Sequence, residues 1–389
     1  MILKLSKKTV ITGCFSIIGI IFIVVFTSFS SIIGVIPGHA EVFDLEVKDE
    51  FVFLNEDGLI IVDSTHPRNP RIIKIIDMLN PQWISLQEDY AFLQDGRGDL
   101  HIVDISNPYN AEIVSVLETE GVALIQGSLL YSVKSPNTML SGRFSVYNFS
   151  NPQNPILISE GSEIISWAKD FKVHENYGYV IGGEALLTIL DLSNSSDVKI
   201  TSTLFDDGID RHAGQHIQIY DNIAYIADFN HISYESEKYI LYAINISNPI
   251  TPEIIWKLDS RDVGNMWVEP DLLYCTSFRN GLTIFDISNP QNPVLIDSYK
   301  QGFSIYNGVE VHNNKIYITG VPRLLILNNK DLGKFSCFFQ NYIFRWLSII
   351  FTVLIGLLSI GFFISDLISA KRKSKVPDQA DFLDRDLSQ

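Results

Sequence analysis

Apolar positions in this chain fall in short runs without helical spacing, and the runs recur. Leu59-Ile60-Ile61-Val62, Leu187-Thr188-Ile189-Leu190 and Leu282-Thr283-Ile284-Phe285 have the branched composition of a strand buried on both faces. Each run stops at an acid or amide and a turn-forming stretch, as in Asp286-Ile287-Ser288-Asn289-Pro290-Gln291-Asn292-Pro293. There Ser and Asn side chains can bond nearby backbone, while Pro fixes φ and removes a ladder donor. A fresh apolar run follows, such as Val294-Leu295-Ile296. Six copies align on Asp63, Asp104, Asn148, Asp191, Asn245 and Asp286, and a worn seventh ends at Asn328. Successive spacings are 41, 44, 43, 54, 41 and 42 residues, the signature of one supersecondary unit repeated about an axis.

Upstream of each copy an aromatic closes another short strand: Phe53, Phe92, Tyr131, Tyr179, Tyr225, Tyr274 and Tyr317. An alternating segment precedes it, with Leu45 and Val47, Ile217 and Ile219, or Val309 and Val311 on one face. Four short strands in a period of about 40 residues predict a β-propeller blade. The expected fold is all-β, a seven-bladed β-propeller of four-stranded blades flanked by N- and C-terminal transmembrane helices. The strands are called A to D, from the alternating segment to the run after the Asn-Pro turn. The unit resembles the LVIVD repeat, a β-propeller repeat of bacterial and archaeal surface proteins, in LIIVD at 59–63, LHIVD at 100–104 and LTIFD at 282–286. The resemblance spans roughly residues 42–330, and departs from the pattern where Asn148, Asn245 and Asn328 replace the acid and Ser195 the proline. It implies a fold and brings no common catalytic residues.

The ends of the chain read as membrane. Residues 9–37 carry no charge after Lys4, Lys7 and Lys8, and 346–364 is a second uncharged run, followed by Lys371, Arg372, Lys373 and Lys375. A bilayer takes about 20 apolar residues, and basic flanks stay in the cytoplasm. The expected order is a cytoplasmic start at 1–8, a transmembrane signal anchor at 9–29, and an extracytoplasmic propeller at 30–330. A juxtamembrane segment at 331–345, a transmembrane helix at 346–364 and a basic then acidic cytoplasmic tail at 365–389 follow. This describes a multi-pass plasma-membrane protein with both termini inside. The first run exceeds a signal-peptide core of about 7–15 residues, which favours retention, although Gly38-His39-Ala40 would suit a signal peptidase. The seventh unit lacks a fourth strand of its own, and residues 30–37 read as a branched strand. They are expected to supply it, closing the ring and bringing both anchors out on the face of the Asn-Pro turns.

Residues 41–330 hold 19 of the 29 basic and 39 of the 45 acidic residues, a net charge of −20. Such a field repels nucleic acid and is read first as a solubilising shell. Cys14, Cys275 and Cys337 do not make a disulfide framework. Arg97-Gly98-Asp99 sits where a B–C hairpin needs glycine, which outweighs an adhesion motif of three letters.

Unit five is the irregular one. Insertions at 206–215 and 229–238 are expected to rise from the face opposite the Asn-Pro turns, and gather Asp206, Asp207, Asp210, His212, His216, Asp228 and His231. Carboxylates with imidazoles suit a divalent cation. Against this, Gly214 interrupts the His212/His216 pair and no Glu base follows in an H-E-x-x-H pattern. His216 also aligns with Asp44, Trp83, Val122, Asp170, Asn265 and Gly308, a variable strand start. The cluster is read as a binding surface; metal stays open and no cofactor is expected. Asn148, Asn194 and Asn245 head Asn-x-Ser sequons, candidates for glycosylation for which a structural role in the turns is favoured. With no nucleophile elbow, phosphate loop or paired cysteine ligands, the expected function is non-catalytic. The chain reads as a binding scaffold at the cell surface for an extracellular protein or glycan. The alternatives are an extracytoplasmic metal-dependent hydrolase using the unit-five cluster, and an envelope adhesion or structural protein.

Overall fold

The computed structural model describes residues 32–37, 42, 44–79, 81, 83–118, 121–134, 142–165, 168–182, 185–206, 212–231, 237–260, 263–277, 281–299 and 306–329. The chain divides into two compact units, Met1–Lys334 and Phe335–Gln389, and all described residues belong to the first. Both expected membrane spans, 9–29 and 346–364, lie outside the described residues. Among those described, no helix is long and apolar enough to cross a membrane.

The described residues form seven four-stranded antiparallel sheets. Blades one to six run in chain order over 44–77, 83–118, 121–165, 168–204, 212–260 and 266–299. Blade seven takes three strands from 306–328 and its fourth from the other end of the chain. That fourth strand, Ile32–Ile36, pairs antiparallel with Leu324–Asn328, matching Ile36 to Leu324 and Ile32 to Leu327. The closing strand expected from the sequence at 30–37 is therefore present as strand D of blade seven.

The regularity of the repeat has a packing cause. Seven apolar clusters occupy the gaps between neighbouring blades, the last of them joining blade seven to blade one through Ile36, Leu45, Val47, Tyr317 and Leu324. Each aromatic of the strand-B column fills one gap: Phe53 between blades one and two, Phe92 between two and three, and so on to Tyr317 between seven and one. All seven are buried. A side chain of that size contributes about 3–5 kcal/mol relative to Ala in a closed core. Strand C is buried along almost its whole length, as in Gly58–Asp63 and Ala185–Asp191, whereas strand D is the exposed outer edge.

The turns explain the polar half of the motif. The column acid or amide accepts the N–H two residues on in all six copies: Asp63 from Thr65, Asp104 from Ser106, Asn148 from Ser150, Asp191 from Ser193, Asn245 from Ser247 and Asp286 from Ser288, at 2.9–3.0 Å. The backbone needs one acceptor oxygen there, which an amide supplies as well as a carboxylate. A second side-chain turn follows on Asn107, Asn151, Asn194, Asn248 and Asn289. The residue after the column then donates its N–H to the A–B turn of the same blade, as Ile105 does to Asp89 and Asn329 to Asn314. The A–B turns bend through a left-handed residue, Asp49, Glu88, Gly127, Glu175, Asp221, Asp271 and Asn313 in turn. These bonds place the A–B and Asn-Pro turns on one face of the ring. The B–C and D–A connections form the other.

Closure rests on one glycine. The closing strand bulges between Ile32 and Gly34, and a methyl group on Gly34 would run into the Pro67 carbonyl of blade one's Asn-Pro turn. Gly34→Val should therefore destabilise the ring by about 1–3 kcal/mol. Hydrogen exchange should show the loss first in 32–36 and 324–328, with blade four unaffected.

Candidate functional site

Strand A is the edge strand of each sheet and neighbours the strand A of adjacent blades, so the seven A strands surround the axis of the ring. The column read from sequence as a variable strand start lies here. Asp44 and Glu46 come from blade one, Asp170 and Lys172 from blade four, His216 from blade five, Asn265 from blade six and Glu310 from blade seven. Residues two apart along a strand point the same way, which is how Asp44 with Glu46, and Asp170 with Lys172, share a side. Blades one and four stand across the ring from each other, yet Lys172 and Asp170 act electrostatically on Asp44.

Three of the acids staple one blade to the next. Asp44 caps its own strand through Leu45 N at 3.0 Å and accepts from Ile84 N of blade two. Asp170 repeats the arrangement, with Oδ1 accepting from Phe171 N at 2.7 Å and Oδ2 from Ile217 N of blade five at 2.9 Å. Glu310 Oε2 accepts from Val47 N of blade one at 2.7 Å. Asn265 Nδ2 of blade six reaches Asp44 Oδ1 at 3.3 Å, beside Gly308 of blade seven, where a Cβ would crowd Leu45 and Asp44.

The electrostatics follow from enclosure. Burial pushes Asp44 up to about 7, against its hydrogen bond from Leu45 and the Lys172 charge. Glu46 is pushed up to about 8 by burial and by Asp44 beside it. Glu310, only 3 % exposed, is raised by burial and then by Glu46 and Asp44. His216 is driven down to about 4 by burial, with Asp170 opposing and Lys172 assisting. Its ring, 3.8 Å from Asp170, is neutral at physiological pH, and the contact is not an ion pair.

Of the residues selected from the sequence in blade five, Asp206, His212, His216, Asp228 and His231 are described. Asp206 is buried, accepts from Tyr242 Oη at 3.0 Å and pairs with Lys257 at 3.0 Å. Asp228 is buried on strand B opposite Gly214. His212 and His231 are strand ends, paired in register with Asn230 and Glu237. Asp207 and Asp210 lie outside the described residues. Residues 212–215, 229–231 and 237–238 of the expected insertions are strand: blade five's first three strands run nine residues each, His212–Tyr220, Ile223–His231 and Glu237–Asn245. Among the described residues no three His, Cys, Asp or Glu side chains gather as metal ligands would. Asn148, Asn194 and Asn245 all use Oδ1 in the turns described above. In the Arg97-Gly98-Asp99 hairpin, Asp95 Oδ1 accepts the Arg97 and Asp99 N–H groups and Gly98 takes φ 93°.

Sequence reasoning set the axial acids aside. The signal was a polar residue at the strand start in four of seven blades, with Glu46, Lys172 and Glu310 two positions on.

The family comparisons agree with this geometry. The model for the LVIVD repeat matches residues 80–119, 167–203 and 260–301, stretches that coincide with blades two, four and six. Three of the seven blades thus match the LVIVD repeat. No curated protein matches it in sequence. Similar solved structures include one described as the mitotic checkpoint complex, at TM-score 0.57 and 10 % identity over 76 % of this chain and 89 % of that one. The computationally designed Ika8 protein gives 0.54 and 10 % over 76 % and 98 %. Saccharomyces cerevisiae Sqt1 gives 0.52 and 8 % over 77 % and 86 %. At such identities the likeness is one of fold.

If Asp170 is a staple, Asp170→Ala leaves the buried Ile217 N–H without its acceptor, at a cost of about 1–3 kcal/mol. Asp170→Asn keeps an acceptor oxygen and should recover most of that loss. Urea midpoints of the two variants distinguish a staple from a dispensable channel charge.

Proposed function

We propose that this protein is a non-catalytic binding scaffold, held in the plasma membrane with its propeller outside the cytoplasm, that engages an extracellular protein or glycan. The observation that carries the reading is the face shared by both ends. Ile32 pairs with Leu327 at the Asn-Pro side of blade seven, so residues 32 and 329, the two ends of the described ring, both stand on that face. Each continues into one of the uncharged runs of the sequence. An anchor on both would hold the Asn-Pro turns toward the bilayer and turn the B–C face, with the extended hairpins of blade five, away from it. Loops and hairpins enlarged on one face of a repeat ring are the usual place for recognition.

The hydrolase alternative requires the blade-five acids and imidazoles to share an ion. Asp206 is committed to Tyr242 and Lys257, and His216 stands beside Asp170 of blade four. A recognition surface needs shape and area more than convergent reactive groups.

Photo-crosslinking groups placed on the full chain in intact cells test the proposal. Positions on the B–C face, Asp57 and Arg97, should yield crosslinked envelope protein or glycan; positions on the opposite turns, Thr65 and Gln153, should not. The reverse pattern, or reaction of the Asp57 and Arg97 positions with cytoplasmic proteins alone, would refute it.

A further inference from the structure

Blade seven differs from the other six in having no covalent C–D connection: its strands 306–328 are tied to strand D at 32–36, and to blade one into which that strand continues, by non-covalent contacts. The join is bridged by packing and by polar contacts made across most of the described chain. Arg323 and Glu56 pair two-pronged at the B–C side, Nε to Oε2 at 2.7 Å and Nη2 to Oε1 at 2.9 Å. Asn307 Nδ2 donates to Val42 O at 2.8 Å. Lys315 stands 3.9 Å from Glu50. At the inner edge, nearest the axis, the bond is Val47 N to Glu310 Oε2. Glu310 is a buried carboxylate on one side of the seam, and the strand it grips carries Asp44 and Glu46 on the other.

We propose that Asp44, Glu46 and Glu310 form a proton-operated clasp on the ring seam: while they hold protons, strands 306–328 stay closed on blade one, and when all three ionise their repulsion loosens the join. The geometry makes the clasp specific to this gap. Glu310 and Glu46 belong to strands that meet directly, and Gly308 brings its backbone against Asp44 with no side chain to space them. The charged groups facing the cluster from elsewhere are few. Blade four contributes Lys172, which favours ionisation of Asp44 and Glu46, and Asp170, which opposes it at Asp44. Blade five contributes His216, kept neutral by burial. Tyr317 of blade seven feels Glu310 and Glu50 and is itself raised by burial. The nearest strand of blade two offers a backbone N–H, Ile84, and no charge.

The direction of the pH effect follows from the raised carboxyls. In the folded ring they hold protons that an unfolded chain has already released above its ordinary range. The associated stability is full below about 4 and is lost as pH rises through about 7 to 8. Alkaline conditions should thus open the seam before the rest of the ring.

Hydrogen exchange on the full chain in detergent micelles, at pH 6, 7.5 and 9 with labelling times scaled to the base-catalysed rate, reads this out by strand. Protection of 32–36, 44–48, 306–312 and 324–328 should fall about tenfold or more from pH 6 to 9. A carboxyl that binds its proton about ten times more tightly in the closed ring moves the opening equilibrium by the same factor once that proton is lost. Blades three and four should hold. Glu310→Gln keeps an acceptor for Val47 N but removes the charge, and Glu46→Gln does the same for its neighbour; either should flatten the dependence. Equal loss in blade four, seam protection that ignores pH, or a parental slope retained by both variants would overturn the clasp.

Discussion

Closure is the constraint on which this structure depends. A blade is a small sheet with two apolar faces, and neither can be covered except by another blade. Six of the sheets are built from consecutive chain. The seventh joins residues nearly three hundred positions apart, and until it forms, two apolar faces and a strand edge stand open to water. A five-residue strand from the far end of the chain completes the last sheet, so the stability of all seven interfaces is conditional on it. Its sequence answers that demand: branched residues where it packs on Leu324 and Ile326, and a glycine where it passes the Pro67 carbonyl.

The polar motif serves the same end at smaller scale. A chain that reverses direction between every pair of strands must satisfy the backbone at each reversal. This chain uses one solution throughout: a side-chain oxygen at the column position, a second at the following Asn, and an N–H tied back to the A–B turn. Asp63, Asp191 and Asp286 are held below the usual carboxylate range by the hydroxyl and N–H of the residue two on. The amides at 148 and 245 make the same N–H bond without charge. The sequons there coincide with this turn chemistry.

Positions that meet the same surroundings in every blade were legible in the sequence. The aromatics from Phe53 to Tyr317 each fill one gap, the column from Asp63 to Asp286 makes one turn, and repetition exposes both. The closing strand was legible because counting strands left one blade short. The axial residues were not, since Asp44, Asp170, His216, Asn265 and Glu310 face different blades across the ring. Their partners depend on which chain segments the closed ring brings together, and no local period records that. In blade five the 54-residue spacing showed extra chain but not its form, part of which lengthens three strands.

The division of labour within the ring limits how it can recognise anything. Most apolar side chains are consumed between blades, while the outer D strands leave Ile75, Val116, Leu157 and Leu295 exposed. The axis and the B–C face offer polar side chains instead, in a domain carrying a charge of −20. At the axis those side chains also hold neighbouring blades together, because Asp44, Asp170 and Glu310 accept N–H bonds from the next strand A. A cationic group that neutralised the cluster from the mouth of the ring would act on the seam in the same direction as a proton. Binding at the axis and tightness of closure are then linked through the same carboxylates, and any ligand that favours the closed ring must be favoured by it in equal measure.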